Sequence, residues 1–339
     1  MFMPKGWCAA MPSRLTVTLV FLACISSSHL SYGQQIIGDV PVSWIGHKGY
    51  PSQCDQEGRF LYRPDYRPEK DDHQSVVRVN QDGSTSLFQI PDEKDRVSVF
   101  ASADDGLVVV AAPNAQPSRV FHMYHFDKKG KVVTQHTVSL NFRPAAVAVT
   151  SGKTVVVGYL RDHGSKRKDL KPAGAVLGVD DSVSQLFELP PTAEGGNWIA
   201  GFMAGGDGVA YEILKAWGKP TYAVATITES GRVNVNVLPV PPDDKARHHF
   251  GWLLGPGVVV ENYSIFGELP DVIHFDEYDI ASSKKLRTKI TPPPAFPNGL
   301  PAVSCYLEDE IVALVPKGDG DQQSMHRVAL KLAASTGHN

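Results

Sequence analysis

One tight turn returns at near-even steps along the chain, and few folds can accommodate it. Asp55-Gln-Glu-Gly58 leads into Arg59-Phe-Leu-Tyr62, Asp104-Asp-Gly106 into Leu107-Val-Val-Val110, and Ser151-Gly-Lys153 into Thr154-Val-Val-Val157. Gly206-Asp-Gly208, Gly255-Pro-Gly257 and Glu308-Asp-Glu310 introduce similar apolar runs, at steps of 47 to 55 residues. A second turn interleaves with the first: Asn80-Gln-Asp-Gly83, Asp127-Lys-Lys-Gly130, Asp180-Asp-Ser182, Thr228-Glu-Ser-Gly231 and Ala281-Ser-Ser283. Glycine, Asp and Asn supply the positive φ that tight hairpins need. Alternating runs such as Ser75-Val-Val-Arg-Val79 and Thr85-Ser-Leu-Phe-Gln-Ile90 flank these turns.

Each period therefore reads as four antiparallel strands, A to D, with tight A–B and C–D turns and a looser B–C connection. That is the grammar of a β-propeller blade. A blade cannot bury both faces alone, so blades pack around an axis. A β-sandwich or an open solenoid is the competing architecture, but sandwiches lack a regular repeat of this length. No long stretch has helical periodicity.

Six first turns and five second turns predict six blades, the last of which lacks its D strand after Ser324-Met-His-Arg-Val-Ala-Leu-Lys-Leu332. Gln35-Ile-Ile-Gly-Asp-Val-Pro-Val42 has no partner in sequence and reads like other D strands, such as Val235-Asn-Val-Leu-Pro-Val240. It is expected to complete blade six and close the ring, which removes an exposed edge. The chain resembles six-bladed propellers of the NHL and TolB-like kind over nearly all of residues 34–333. The resemblance is one of architecture. No WD dipeptide, YWTD repeat or kelch double glycine falls in register, so no site residue is carried over from it.

Residues 1–33 read as a secretory signal. Lys5 and Arg14 precede the apolar stretch Leu15–Ile25, and Ser31-Tyr-Gly33 offers small residues for cleavage after Gly33. Translation from Met11 would give a shorter signal. Acylation of Cys24 is the alternative, a poor fit because Phe21 stands where a branched aliphatic residue is usual. The expected destination is the periplasm or the extracellular space. Residues 334–339 are expected to form a C-terminal tail. No later stretch approaches the roughly 20 apolar residues of a membrane-spanning helix.

Cys54 and Cys305 remain after the signal. They fall at matching places on the A strands of blades one and six, which are neighbours in a closed ring. A disulfide there would close a loop of about 250 residues, worth about 5.5 kcal/mol in the chain-entropy model. Two buried free thiols are the alternative.

The net charge of −3 argues against general nucleic-acid binding, which needs a basic face. No Gly-rich phosphate loop, GxSxG elbow or HExxH pair occurs. The expected A strands, such as Ser98–Ser102 and Ala145–Val149, carry almost no acidic side chains. A Ca²⁺ site normally needs several carboxylates, so no metal and no cofactor is expected. His122 and His125 lie three apart and should point to opposite faces of a strand. His248 and His249 should diverge too, on a surface loop. Asp319-Gly-Asp321 reads as a hairpin tip, Lys166-Arg-Lys168 with Lys171 as a local basic cluster, and Asn262-Tyr-Ser264 as a glycosylation acceptor sequence.

The A–B and C–D turns occupy one face, and the longer, dissimilar B–C and D–A connections the other. Loops on a rigid scaffold commonly carry binding, and aromatic and arginine side chains anchor it. The expected binding residues are Arg143, Arg161, Trp198, Trp217, His249 and Tyr263. The sequence thus points to an exported, monomeric binding module for a peptide, a glycan or another exported protein. The alternative is a hydrolase or lyase at the channel mouth, with Arg143, His249 and Tyr263 near the chemistry.

Overall fold

The computed structural model describes residues 36–42, 53–63, 74–104, 106–113, 119–160, 171–190, 197–204, 208–216, 221–239, 246–267, 272–291, 304–317 and 324–334. The signal segment, Cys24, Arg161, Lys166–Lys168, Trp217 and Asp319–Asp321 lie outside them. All regular structure among the described residues is β, and no helix there is long and apolar enough to cross a membrane.

The first strand is Ile36–Pro41 (β1). Blade 1 follows as Gln53–Cys54 (β2), Phe60–Tyr62 (β3), Ser75–Val79 (β4) and Thr85–Gln89 (β5). Blade 2 is Asp95–Ala103 (β6), Gly106–Pro113 (β7), Val120–Phe126 (β8) and Val132–Ser139 (β9). Blade 3 is Arg143–Val149 (β10), Thr154–Leu160 (β11), Lys171–Leu177 (β12) and Val183–Glu188 (β13). Blade 4 is Asn197–Ala204 (β14), Val209–Ala216 (β15), Tyr222–Thr228 (β16) and Val233–Val237 (β17). Blade 5 is Arg247–Gly255 (β18), Val258–Ile265 (β19), His274–Asp279 (β20) and Lys285–Ile290 (β21). Blade 6 is Ser304–Leu307 (β22), Glu310–Lys317 (β23) and Ser324–Lys331 (β24), and β1 is the outer neighbour of β24.

The chain is a six-bladed β-propeller of antiparallel sheets. In blade 6, Ile36 pairs with Leu330 and Asp39 with Val328. Asp39 also meets His326 Nδ1 at 2.7 Å and the ammonium of Lys317. The Lys317 hydrogen bond is the main cause that holds its carboxyl below the usual value. A short fifth strand, Ala333–Ala334 (β25), pairs with β21 of blade 5, so ordered pairing extends into the expected tail.

The core is divided among the seams between blades. Phe88, Phe100 and Tyr124 pack in seam 1/2, Val110, Met123 and Val156 in seam 2/3, and Val155, Leu214 and Ile227 in seam 3/4. Tyr211, Val259 and Tyr278 fill seam 4/5, Phe275, Tyr306 and Val328 seam 5/6, and Phe60, Val312 and Ala329 seam 6/1. The β-branched runs after each first turn form the B strands, which are buried on both sides and so carry little alternation.

Cys54 and Cys305 form a disulfide with a Cα–Cα distance of 5.6 Å, joining the inner strands of blades 1 and 6. On the other side of blade 1, Ser102 Oγ donates to Asp55 Oδ2 at 2.6 Å. Gln56, in the first A–B turn, donates across the axis to the carbonyl of Ala204 in blade 4.

Two local devices repeat. The C–D turns are closed by the amides of Gly83, Gly130 and Gly231, with φ of 79°, 78° and 76°. Glycine adopts that region at no steric cost, and aspartate and asparagine tolerate it. Blade 3 places Asp181 at this position, with φ of 58° and the same amide bond, to the carbonyl of Gly178. The A strands of blades 2 to 5 each carry a β-bulge, at 97/99, 144/146, 199/201 and 249/251. Ladder pairing continues beyond the bulge. Residues 247–250, expected on a D–A loop, and Tyr263, expected on a B–C loop, are therefore strand residues.

Candidate functional site

The bulges align the blades residue by residue. The position just before the bulge is Val97 in blade 2, Pro144 in blade 3, Ile199 in blade 4 and His249 in blade 5. Their cross-strand partners are Ala111, Gly158, Leu214 and Tyr263. Two positions earlier in the B strand lie Val109, Val156, Glu212 and Glu261, paired with Tyr124, Ala175, Ala225 and Asp276 on the C strand. Blade 5 thus sets His249, Tyr263, Glu261 and Asp276 into register positions that blades 2 and 3 fill mostly with apolar residues.

Glu261 and Asp276 are cross-strand neighbours, each 1% exposed. Two like charges directly opposite on one sheet face are unfavourable, and each buried carboxylate needs its own partners. Asp276 receives Thr288 Oγ1 at 2.7 Å and Lys285 Nζ at 2.7 Å. The Tyr263 hydroxyl donates to it at 3.4 Å. Glu261 faces His249 Nδ1 at 3.2 Å and accepts from the Tyr278 hydroxyl at 3.2 Å. Burial, then the Asp276 charge, pushes the Tyr263 hydroxyl up; burial, then the Glu261 charge, does the same at Tyr278. Both phenols remain donors at neutral pH.

Rings enclose this acid pair. Tyr222, His249 and Trp252 have mutual centroid distances of 6.2, 6.0 and 6.1 Å, and Trp252 lies 5.6 Å from Tyr278. Tyr263 stacks on His274 at 5.1 Å and carries the Arg247 guanidinium 4.4 Å from its centroid. His249 Nε2 and Trp252 Nε1 are buried with no hydrogen-bond partner among the described residues. Buried polar atoms of this kind usually have a partner, and exceptions cluster where function sits.

Three rings on this strand pair or directly after it are open to solvent at the long-loop end. His248 contacts Phe250 at 4.9 Å and Phe266 at 6.3 Å, and Phe266 is 66% exposed. His248 is exposed while His249 turns into the seam, so the two diverge.

Of the expected binding residues, the fold brings His249 and Tyr263 together as cross-strand partners. Arg143 opens β10 in blade 3, exposed and two blades away. Trp198 lies on β14, paired with Lys215, and its side chain is outside the described residues. Asn262 is 3% exposed and donates to the carbonyl of Gly251 at 3.1 Å, so this folded strand does not offer it for glycosylation.

Two further clusters hold buried aspartates. Asp95, three residues before the expected inner strand Ser98–Ser102 but the first residue of β6, is fully buried, with Oδ2 2.7 Å from His122 Nδ1 and 2.5 Å from the Tyr124 hydroxyl. Asp181 Oδ2 lies 2.7 Å from His125 Nε2 and 2.8 Å from His136 Nδ1, the group among the described residues that could hold a metal ion. His122 faces blade 1 and His125 faces blade 3, the divergence that their spacing predicts.

No protein-family model and no curated protein matches the chain. Among solved structures it is similar to virginiamycin B lyase from Staphylococcus aureus, with 10% identity, a TM-score of 0.43, and 87% of this chain and 99% of that chain covered. It is also similar to a luciferin-regenerating enzyme, with 13% identity, a TM-score of 0.45, and 88% and 98% covered.

Proposed function

We propose that this protein is an exported, monomeric binding module that engages a peptide, glycan or exported protein through its long-loop end, with blade 5 as the anchor. The observation that carries this reading is the exposed His248–Phe250–Phe266 trio beside a seam with two orphaned ring nitrogens. Isolated surface apolar residues need no explanation, but clustered rings at the end of a rigid scaffold favour recognition. The Cys54–Cys305 bond is in keeping with export. Arg143 and Trp198 would extend the contact around the mouth.

The test is capture of ligand from the source organism's envelope by the wild-type chain and by a His248→Ala/Phe250→Ala/Phe266→Ala variant. The three rings are exposed, so the variant should keep its thermal midpoint. Its affinity should fall at least about 30-fold if even one ring is a hot spot of about 2 kcal/mol. Equal recovery by both chains rejects the reading.

A hydrolase or lyase is the second reading, and one observation favours it. A buried carboxylate on Nδ1, as Asp95 provides for His122, is how a histidine base is oriented with Nε2 directed outward. The His122 side chain is 23% exposed. Turnover of any candidate substrate by this route should fall about 100-fold or more in His122→Asn, and unchanged turnover would rule His122 out.

A further inference from the structure

The seam between blades 2 and 3 carries a cluster that the binding reading does not use. His125 is the penultimate residue of the C strand of blade 2, and His136 lies diagonally opposite on the D strand, since His125 pairs with Thr134 and Met123 with His136. Both rings share the face toward blade 3, where the C–D turn of that blade brings Asp181. The imidazoles converge on a single oxygen, Asp181 Oδ2, at 2.7 and 2.8 Å. The three ligating atoms lie within 4.8 Å of one another.

Two observations separate this group from an ordinary surface ion pair. The Asp181 side chain is 1% exposed, yet its second oxygen, Oδ1, has no hydrogen-bond partner. Leaving a buried carboxylate oxygen unpaired is costly. Asp181 stands at positive φ where three sister C–D turns place glycine and blade 5 places Ser283, a region that aspartate tolerates. Finally, the two histidines are partly exposed, with 27% and 37% of their side chains open to solvent, so an ion can reach them.

We infer that His125 Nε2, His136 Nδ1 and Asp181 form a binding site for a divalent cation of the zinc class, bridging blades 2 and 3 at their outer strands. Two neutral imidazoles and one carboxylate are a zinc donor set, and three protein ligands leave a position for water. Magnesium and calcium, which prefer oxygen, are poorly served. Tetrahedral zinc with bonds of about 2.0–2.1 Å sets its ligand atoms roughly 3.3 Å apart. The two contacts therefore need to open by about half an ångström, and the unpaired Oδ1 gives the carboxylate a second oxygen to offer. This site stands apart from blade 5 and does not depend on what that blade binds.

The test uses untagged protein stripped with a chelator and titrated with ZnCl₂ by calorimetry, with Co²⁺ as a spectroscopic reporter. One equivalent should bind, and Co²⁺ should give a visible d–d band with nitrogen ligation. Asp181→Gly is the informative variant, because it installs the residue that three sister turns use at this φ. It should fold at least as well as the wild type without metal and bind zinc about 100-fold more weakly or worse. His136→Ala should lose affinity to a similar degree. No binding by the wild-type chain, or undiminished binding by Asp181→Gly, overturns the site.

Discussion

Reduction of the Cys54–Cys305 bond is expected to lower the thermal midpoint by roughly 5–10 °C, from about 5.5 kcal/mol of lost chain constraint spread over a domain of this size. The bond closes a loop with a sequence separation of 251 and ties the first blade of the chain to the last. In an opened ring, seam 6/1 depends on apolar packing of residues such as Phe60, Tyr62, Val312 and Leu314. Differential scanning calorimetry with and without reductant measures the shift. A Cys54→Ser/Cys305→Ser chain should match the reduced wild type and ignore reductant. A wild-type midpoint insensitive to reductant would show that the bond does not constrain the ring.

Replacing Lys289 by methionine should cost about 3–5 kcal/mol. The Lys289 ammonium sits in seam 5/6, 5% exposed, 2.7 Å from Glu277 Oε1 and 2.8 Å from Asp309 Oδ1. Glu277 is 1% exposed and also accepts from the Tyr306 hydroxyl and from Arg287 Nε at 2.6 Å. Removing the lysine leaves a buried carboxylate dependent on a half-exposed arginine and a phenol. The double variant Glu277→Leu/Lys289→Met removes both charges and should recover most of the loss. Burial alone would raise the Glu277 carboxyl. The hydrogen bonds from Lys289, Tyr306 and Arg287 outweigh it and hold the group below its ordinary value of 4.5. Because the folded pKa is the lower one, this contribution is complete above 4.5 and fades as pH falls through the folded value. Urea midpoints from pH 6 down to about 3 should fall more steeply for the wild type than for the double variant. Parallel curves would sink the assignment.

The architecture was written in turn chemistry. Gly83, Gly130 and Gly231 mark positive φ, and the apolar runs after each first turn can only be buried strands, so blade number follows from counting. The disulfide was legible for the same reason, since a repeat gives each cysteine a place in its blade. The candidate sites were mostly hidden. Nothing local to Val258-Val-Val-Glu-Asn-Tyr263 shows that Glu261 will face Asp276, because that contact depends on register and on the bulge at His249. The expected long loops were too long for a related reason: Arg247–Phe250 and Tyr263–Ile265 look like polar connections, yet ladder hydrogen bonds carry them on as strand. Asp181 left one trace, an aspartate where three sister turns carry glycine. Its two histidines, 45 and 56 residues away, could be matched to it only once the blades were stacked.

The Ile36–Pro41 segment has one more consequence. The sheet it completes is otherwise built from residues 304–331, so the two belong together only through tertiary contact. A second molecule presents the same edge of Ser324–Lys331 and carries the same six residues. Reciprocal donation between two copies would preserve every backbone bond while linking the molecules. Crowded or briefly heated samples should therefore accumulate interlocked dimers whose individual rings are as complete as those of the single molecule.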